Sequence, residues 1–216
     1  MTKNLSKRIV TSIALFVILL VCLFLNIHSW LILVTIASII VFFEFNDLLN
    51  KIWKKKAYLK YYISIIFFLY LFLFIYSTYI LYNQGIELNI FILLVCIFSD
   101  IGGYVVGKSI GGKKLTKISP NKTVSGSIGS FLFSIIPIFI FNIYDKYEYS
   151  INIYLVLLTV IISLFCQLGD LLISYFKRKA KVKDTGTILP GHGGLLDRID
   201  GILFGLPLGL LLLIYY

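Results

Sequence analysis

The polar stretch from Ser174 to Asp200 carries the residue types that bind anions and work on them. It reads SYFKRKAKVKDTGTILPGHGGLLDRID and contains six Lys or Arg side chains beside several carboxylates and hydroxyls. Residues 151–173 and 202–216 on either side are apolar enough to lie in lipid, and Asp170 falls just inside the upstream segment. Because polar groups are costly at a membrane, this concentration of charge predicts a functional site rather than a packing role.

Three of these residues share one face of a predicted helix. Asp170, Ser174 and Lys177 stand at positions i, i+4 and i+7, which align along a helix that descends from the bilayer. A carboxylate at the depth of Asp170 needs a metal ion or a fixed cation as its partner. Mg²⁺, a hard cation that prefers oxygen ligands, is the natural candidate for the metal.

A second group of polar residues precedes the last apolar segment. Gly193 and Gly194 follow His192 and allow the backbone to approach a ligand closely. Asp197 and Asp200 stand three residues apart at the start of a predicted helix, where acidic side chains are electrostatically favourable.

This stretch resembles the signature of the phosphatidate cytidylyltransferases, which are CDP-diacylglycerol synthases. The pattern is Ser-x-Phe-Lys-Arg, four residues, Lys-Asp-x-Gly, and then Leu-Pro-x-His-Gly-Gly-x-x-Asp-Arg-x-Asp, and every constrained position is filled. A match of this length is far more specific than a short glycine pattern. In that family the Asp before Ser-x-x-Lys-Arg and the first Asp of Asp-Arg-x-Asp hold the catalytic divalent metal, and those positions are Asp170 and Asp197.

The resemblance implies attack by a phosphatidate phosphate oxygen on the α-phosphorus of CTP, which releases pyrophosphate and leaves CDP-diacylglycerol. Two anions must meet, so cations are needed to stabilise the charge that builds on the transferring phosphorus. The predicted catalytic group is Asp170, Asp197, Lys177, Arg178, Lys183 and Asp184. Arg198 is expected to bind phosphate, and Ser174, Gly193 and Gly194 to contact substrate. His192 is expected to position substrate, since a phosphate monoester needs no general base.

The stretch from Asp100 to Gly129 resembles the upstream element of the same family. The pattern there is Asp, Gly-aromatic, Gly-Lys, Lys-Leu and Ser-Pro-x-Lys-Thr, and it begins here at Asp100 and ends at Lys122-Thr123. Lys122 and Thr123 are expected to grip nucleotide phosphates. The glycines with their neighbouring lysines predict a backbone nest for phosphate. Ile101 and Ser125 depart from the residues usual in the family.

The composition is that of an integral membrane protein. Of the 216 residues, 59% are hydrophobic and 14% charged, and the mean hydropathy is +0.96. Such a chain is too apolar for a soluble domain. Seven segments are predicted to span the membrane: 9–27, 30–49, 60–82, 88–107, 126–144, 151–173 and 199–216. We therefore expect an all-α polytopic bundle, one domain over 1–216 with its catalytic region at 98–201, and an amino-terminal part shorter than in typical members.

The net charge of +10 is explained by topology rather than by nucleic acid. Lys and Arg fall on alternate connections between the predicted spans, and only Lys146 lies on the opposite side. This is the positive-inside pattern, which predicts a cytoplasmic amino terminus in the cell membrane, an active site open to the cytoplasm and a carboxyl terminus outside. The first span is expected to be a retained anchor, because no small-residue cleavage site follows it.

Several alternatives stay open at this point. The substrate could be a polyprenol or archaeal-type lipid phosphate, or the chain could be a lipid kinase of the dolichol-kinase kind. A non-catalytic lipid-binding or transport protein is the alternative from another class. A monovalent cation beside Mg²⁺ and a homodimer are open as well. Glu44 lies in the second span without a motif around it, and we expect it to snorkel to water as a structural residue.

Overall fold

The computed structural model describes residues 2–54, 56–143, 153–189, 191 and 193–214. Helices make up nearly all of this part of the chain, and its only β-structure is two isolated bridges, Lys114 with Thr123 and Leu189 with Gly193. The predicted all-α fold is therefore confirmed. The helices are α1 (Thr2–Leu25), α2 (Ile27–Ile52), α3 (Ala57–Gln84), α4 (Ile86–Ile110), α5 (Val124–Phe133), α6 (Ile136–Ile143), α7 (Ile153–Lys179) and α8 (Leu196–Ile214).

Within the described residues, five stretches are long and apolar enough to cross a membrane: Ile27–Ile52, Ala57–Gln84, Ile86–Ile110, Val124–Ile143 and Ile153–Lys179. The chain is thus a membrane protein. The apolar part of α1 is shorter, Val10–Leu25. The first turns of α8 carry charged residues, including Asp197. The count of seven spans and the orientation of the amino terminus stay predictions, and the predicted outer connection around Asp145–Ser150 lies outside the described residues.

The segment predicted as one span over 126–144 consists of two helices. The α5 helix ends at Phe133 and α6 begins at Ile136, with Pro137 in its first turn. Proline has no N–H to donate to the carbonyl four residues earlier, and its ring clashes with that carbonyl. The Ile135 N–H accordingly bonds the Leu132 carbonyl at 3.4 Å in a tighter turn. The proline therefore accounts for the break.

The chain divides into two compact units, each made of two segments. The first unit comprises Met1–Asn83 with Phe176–Ile199, and the second comprises Gln84–Tyr175 with Asp200–Tyr216. In the first unit Phe45 packs between Phe67 and Phe176, with ring centroids 4.0 and 5.0 Å away.

The core of the second unit places α4, α7 and α8 in contact. The Sγ atoms of Cys96 and Cys166 lie 3.1 Å apart as free thiols. A Cβ on Gly205 would lie 2.5 Å from the first sulfur and 2.8 Å from the second. The absence of a side chain at Gly205 therefore lets α8 approach the two sulfur atoms.

The predicted glycine nest near the end of α4 is wrong for Gly102, Gly103 and Gly107. These residues lie inside α4, where their backbone N–H groups belong to the helix rather than to an exposed loop. They face α5 at very short range: a Cβ on Gly103 would lie 2.6 Å from the Ser130 hydroxyl, and one on Gly107 would lie 3.3 Å from the Gly126 Cα. Small residues allow two membrane helices to pack backbone to backbone. This glycine pattern thus serves helix packing.

The close packing of α4 and α5 makes Gly129→Ala destabilising. The added methyl would lie 2.5 Å from the Val106 Cβ and 2.7 Å from the Gly102 carbonyl oxygen, so the helices must separate. We expect a loss of about 1–3 kcal/mol, seen as a lower unfolding temperature in detergent. Ile128→Ala, at the exposed neighbouring position, serves as the control and should change that temperature much less. Equal effects of the two variants would contradict the proposed packing.

Candidate functional site

In the first unit, a cluster forms around Asp197 at the start of α8. We call it the Asp197 cluster; it consists of Glu44, Lys177, Thr185, Gly194 and Asp197. Lys177 Nζ donates to Asp197 Oδ1 at 2.7 Å. The other carboxylate oxygen, Oδ2, accepts from the backbone N–H groups of Thr185 at 2.7 Å and Gly194 at 3.1 Å. The side chains of this ion pair are 13% and 8% exposed, so the pair is largely shielded from solvent.

The hydrogen bonds around Asp197 favour its ionised form. Burial raises the pKa of this carboxyl, but the hydrogen bond from Lys177 and those from the Thr185 and Gly194 backbone amides together hold its pKa below the ordinary value. Asp197 is therefore a carboxylate at neutral pH. Its Oδ2 is fully engaged by backbone donors, while its Oδ1 faces a cation.

The expectation that Glu44 snorkels to water is wrong. Glu44 is 3% exposed and bonds to the segment that resembles the family signature. Its Oε1 accepts from the Leu195 N–H at 2.9 Å, and its Oε2 accepts from the Leu196 N–H at 2.9 Å and from the Thr185 hydroxyl at 2.9 Å. No motif in the sequence connects Glu44 with these partners, and the only available signal was an acid within an apolar helix.

A second cluster lies in the second unit, around Asp170 on α7. We call it the Asp170 cluster; it consists of Lys122, Asp170 and Ser174. Lys122 forms an ion pair with Asp170 Oδ2. The Ser174 hydroxyl donates to Asp170 Oδ1 at 3.2 Å, as the i, i+4 spacing on one helix face predicts. The structure thus brings together an acid and a lysine taken from the two separate family-like stretches.

The upstream stretch also has local structural roles. The Thr123 side chain caps α5 by accepting from the Gly126 N–H at 3.0 Å. Ser125, one of the two departures from the family pattern, donates to the Gly111 carbonyl. Ile101, the other departure, is exposed on α4, as is the neighbouring Asp100.

The remaining predicted site residues lie on or near the loop between α7 and α8. Gly194 is buried, and Gly193 has a φ of 87°, a conformation that favours glycine. A Cβ on Gly193 would lie 3.0 Å from the Asp184 Cβ and 3.1 Å from Asp197 Oδ2. His192 lies outside the described residues. Four residues of the predicted set on or near this loop are exposed: Arg178, Lys183, Asp184 and Arg198.

The two clusters have donor chemistry that suits a hard divalent cation. Among the described residues no three His, Cys, Asp or Glu side chains gather as a metal site. Mg²⁺ in nucleotide enzymes is usually held by one or two carboxylates with substrate phosphates completing its shell. Asp197 Oδ1 and Asp170 Oδ2 each already face a lysine ammonium. Either carboxylate oxygen would be able to coordinate a divalent cation only if its lysine ammonium left it.

The described residues thus define a helical membrane protein that carries two partly shielded pairs of an acid and a lysine. The model of the Cytidylyltransferase family matches residues 53–216, so the chain belongs to that family.

Curated relatives agree with this assignment. The chain is 46% identical over 146 residues to the phosphatidate cytidylyltransferase of Staphylococcus haemolyticus and 44% identical over 146 residues to that of Staphylococcus aureus. It is 43% identical over 144 residues to the phosphatidate cytidylyltransferase of Staphylococcus saprophyticus. Each match covers 66% of this chain and 54% of the relative. The chain thus spans about half the length of the curated relatives it matches.

Proposed function

We propose that the protein is a phosphatidate cytidylyltransferase, which converts CTP and phosphatidate to CDP-diacylglycerol and pyrophosphate. The observation that carries the proposal is the Asp197 cluster, in which one carboxylate oxygen is held by backbone donors and the other faces Lys177 at 2.7 Å. This arrangement sits within the segment that resembles the signature of that enzyme. The names of the curated relatives support the same activity.

The lysines and arginines of the predicted site would screen the repulsion between two anionic substrates. Lys177 and Lys122 are partly buried and paired with acids, so each can exchange its carboxylate for a substrate phosphate oxygen. Arg178, Lys183 and Arg198 are exposed, where they can meet a soluble nucleotide. Cations placed where charge develops on the transferring phosphorus supply the main stabilisation in such reactions.

Asp170 in the second unit and Asp197 in the first unit are each proposed as a Mg²⁺ ligand from its position in the family-like pattern, with Mg²⁺ bound alone or beside a monovalent cation. When bound, a divalent ion polarises the phosphoryl oxygens and neutralises the triphosphate. Neighbouring groups hold the two acids in place: the backbone N–H groups of Thr185 and Gly194 bind Asp197, and the Ser174 hydroxyl binds Asp170. Asp184 is proposed to belong to the catalytic group through its position in the family-like pattern. Asp100, His192, Gly193, Gly194 and Thr123 are proposed to contact substrate through their positions in the two family-like patterns.

The proposed location is the cell membrane, with a cytoplasmic amino terminus. CTP would enter from the cytoplasm, and phosphatidate would enter from the inner leaflet. The alternation of the basic residues along the sequence supports this orientation.

The purified protein in detergent with phosphatidate and Mg²⁺ should convert labelled CTP to a chloroform-soluble CDP-lipid and release pyrophosphate. Parallel reactions would contain dCTP or ATP in place of CTP, or a polyprenyl phosphate in place of phosphatidate. Turnover of polyprenyl phosphate but not phosphatidate would assign a related transferase. Transfer from ATP would indicate a lipid kinase, and the absence of any product would indicate a non-catalytic protein.

A further inference from the structure

Among the described residues of the first unit, Glu44 on α2 is the one buried acid that the proposed mechanism does not use. It lies within a stretch apolar enough to span a membrane, and it is 3% exposed. An acid in that setting needs partners, and acids in membrane helices commonly mark functional places. Glu44 also lies outside residues 53–216, where the family model matches. Neither the family match nor the sequence pattern therefore assigns it a role.

The carboxylate of Glu44 binds the start of α8. The first N–H groups of a helix have no partner within the helix and must find acceptors elsewhere. Leu196 is the first residue of α8, and its N–H donates to Glu44 Oε2 at 2.9 Å, while the Leu195 N–H donates to Oε1 at 2.9 Å. Glu44 thus caps α8 from a distant part of the sequence, and its negative charge suits the positive end of the helix dipole.

The backbone around the carboxylate is shaped to admit it. A Cβ on Gly186 would lie 2.6 Å from Glu44 Oε1, and a Cβ on Gly194 would overlap Glu44 and Thr185. Both glycines therefore leave room that the carboxylate fills. No other residue type fits at these two positions without displacing Glu44.

Glu44 and Asp197 are linked through one hydroxyl group. Thr185 Oγ1 lies 2.9 Å from Glu44 Oε2 and 3.0 Å from Asp197 Oδ2. The hydroxyl has a single proton, so it can donate to only one carboxylate at a time. The Lys177 ammonium donates to the other oxygen of Asp197, Oδ1. Replacement of Glu44 therefore changes two things: whether the Thr185 hydroxyl donates to Asp197, and how the first peptide units of α8, next to Asp197, are held.

We propose that Glu44 is a positioning residue for Asp197: it fixes the first peptide units of α8 and the Thr185 hydroxyl, and thereby sets the direction in which Asp197 Oδ1 points. The role rests on the proposed function, since a fixed Asp197 matters for binding a divalent cation and a nucleotide. Partners that orient a metal-binding residue typically change metal affinity or activity about 10–100-fold when they are removed.

The first test follows amide hydrogen exchange in the peptide that contains Leu195 and Leu196, in the full-length protein in detergent. The N–H groups at a helix start ordinarily exchange fast, so slow exchange there reports the bonds to Glu44. We expect slow exchange in the wild type and exchange on the order of tenfold faster in Glu44→Gln, which offers one acceptor oxygen instead of two. Fast exchange in the wild type, or no change in the variant, would overturn the proposal without reference to catalysis.

The second test measures the Mg²⁺ concentration for half-maximal CDP-lipid formation. For Glu44→Gln we expect this concentration to rise about 10–100-fold, with turnover partly recovered at high Mg²⁺. A purely structural role would lower the amount of active protein but leave the Mg²⁺ requirement unchanged, which contradicts the proposal. If Glu44→Gln does not fold, Glu44→Asp replaces it, because the shorter side chain cannot reach both peptide units and should give the same shift.

Asp47→Asn is the matched control for both tests. It makes the same carboxylate-to-amide change on the same helix, one turn away at an exposed position. We expect wild-type exchange and a wild-type Mg²⁺ requirement from it. If the wild type forms no CDP-lipid, the proposed function fails, and the exchange experiment still decides the role of Glu44.

Discussion

Asp197→Asn is expected to reduce the rate of CDP-lipid formation by about 100-fold or more at any Mg²⁺ concentration, because removal of one preorganised group that stabilises charge typically lowers the rate by that factor. The amide has nearly the same shape as the carboxylate, so the fold should be retained. It carries only one acceptor oxygen and no charge. If that oxygen stays with the Thr185 and Gly194 N–H groups, the amide NH₂ must face the Lys177 ammonium, where the carboxylate Oδ1 now lies at 2.7 Å. The variant therefore loses both the cation-facing oxygen and the ion pair.

The measurement is initial rate against Mg²⁺ and CTP concentration, with Asp47→Asn as an exposed control on α2. Glu44→Gln provides a useful contrast. We expect high Mg²⁺ to restore part of the rate in Glu44→Gln, where Asp197 is present but poorly held, and to restore none in Asp197→Asn. A rate for Asp197→Asn within a few-fold of the wild type would remove Asp197 from the mechanism.

The sequence predicted the helices well, because long apolar runs impose helical structure in a membrane. Within the described residues, the predicted spans over 30–49, 60–82 and 88–107 fall inside α2, α3 and α4. The break between α5 and α6 was missed even though Pro137 was visible, because a proline near the middle of an apolar run does not reveal whether neighbouring helices tolerate it. The glycines of α4 were misread for a similar reason: a glycine pattern is the same in a loop as in a packed helix pair.

The candidate site was predictable where its contacts are local or follow a known pattern. Asp170 with Ser174 follows from helix spacing, and Asp197 with Gly194 spans three residues. Glu44 was not predictable in this way, since its partners Thr185 and Leu196 are 141 and 152 residues away in sequence. A single acid in an apolar helix indicates that a partner exists but carries no information on which distant backbone amide it bonds.

Asp170→Asn is the second variant for which we expect a large loss of turnover, again about 100-fold or more. In the second unit Asp170 accepts from Ser174 and forms an ion pair with Lys122. Two explanations of a loss must be separated: Asp170 could serve only to hold Lys122, or it could itself bind the cation that accompanies CTP. The isosteric amide removes both functions at once, so the single variant cannot distinguish them.

The exchanged pair Lys122→Asp with Asp170→Lys tests the first explanation, in which the two residues serve only as an ion pair. It keeps one positive and one negative charge in contact, so a merely structural ion pair would be restored and activity would recover relative to either single variant. If Asp170 binds the cation or Lys122 binds a phosphate, the exchanged protein should be as stable to heating as the wild type and still inactive, because neither side chain projects from its own position any longer. Ser174→Ala, which removes only the 3.2 Å hydrogen bond to Asp170, should give an intermediate loss with a raised Mg²⁺ requirement. Recovery of turnover in the exchanged pair would make Asp170 a structural partner of Lys122 and leave Asp197 as the acid that the chemistry depends on.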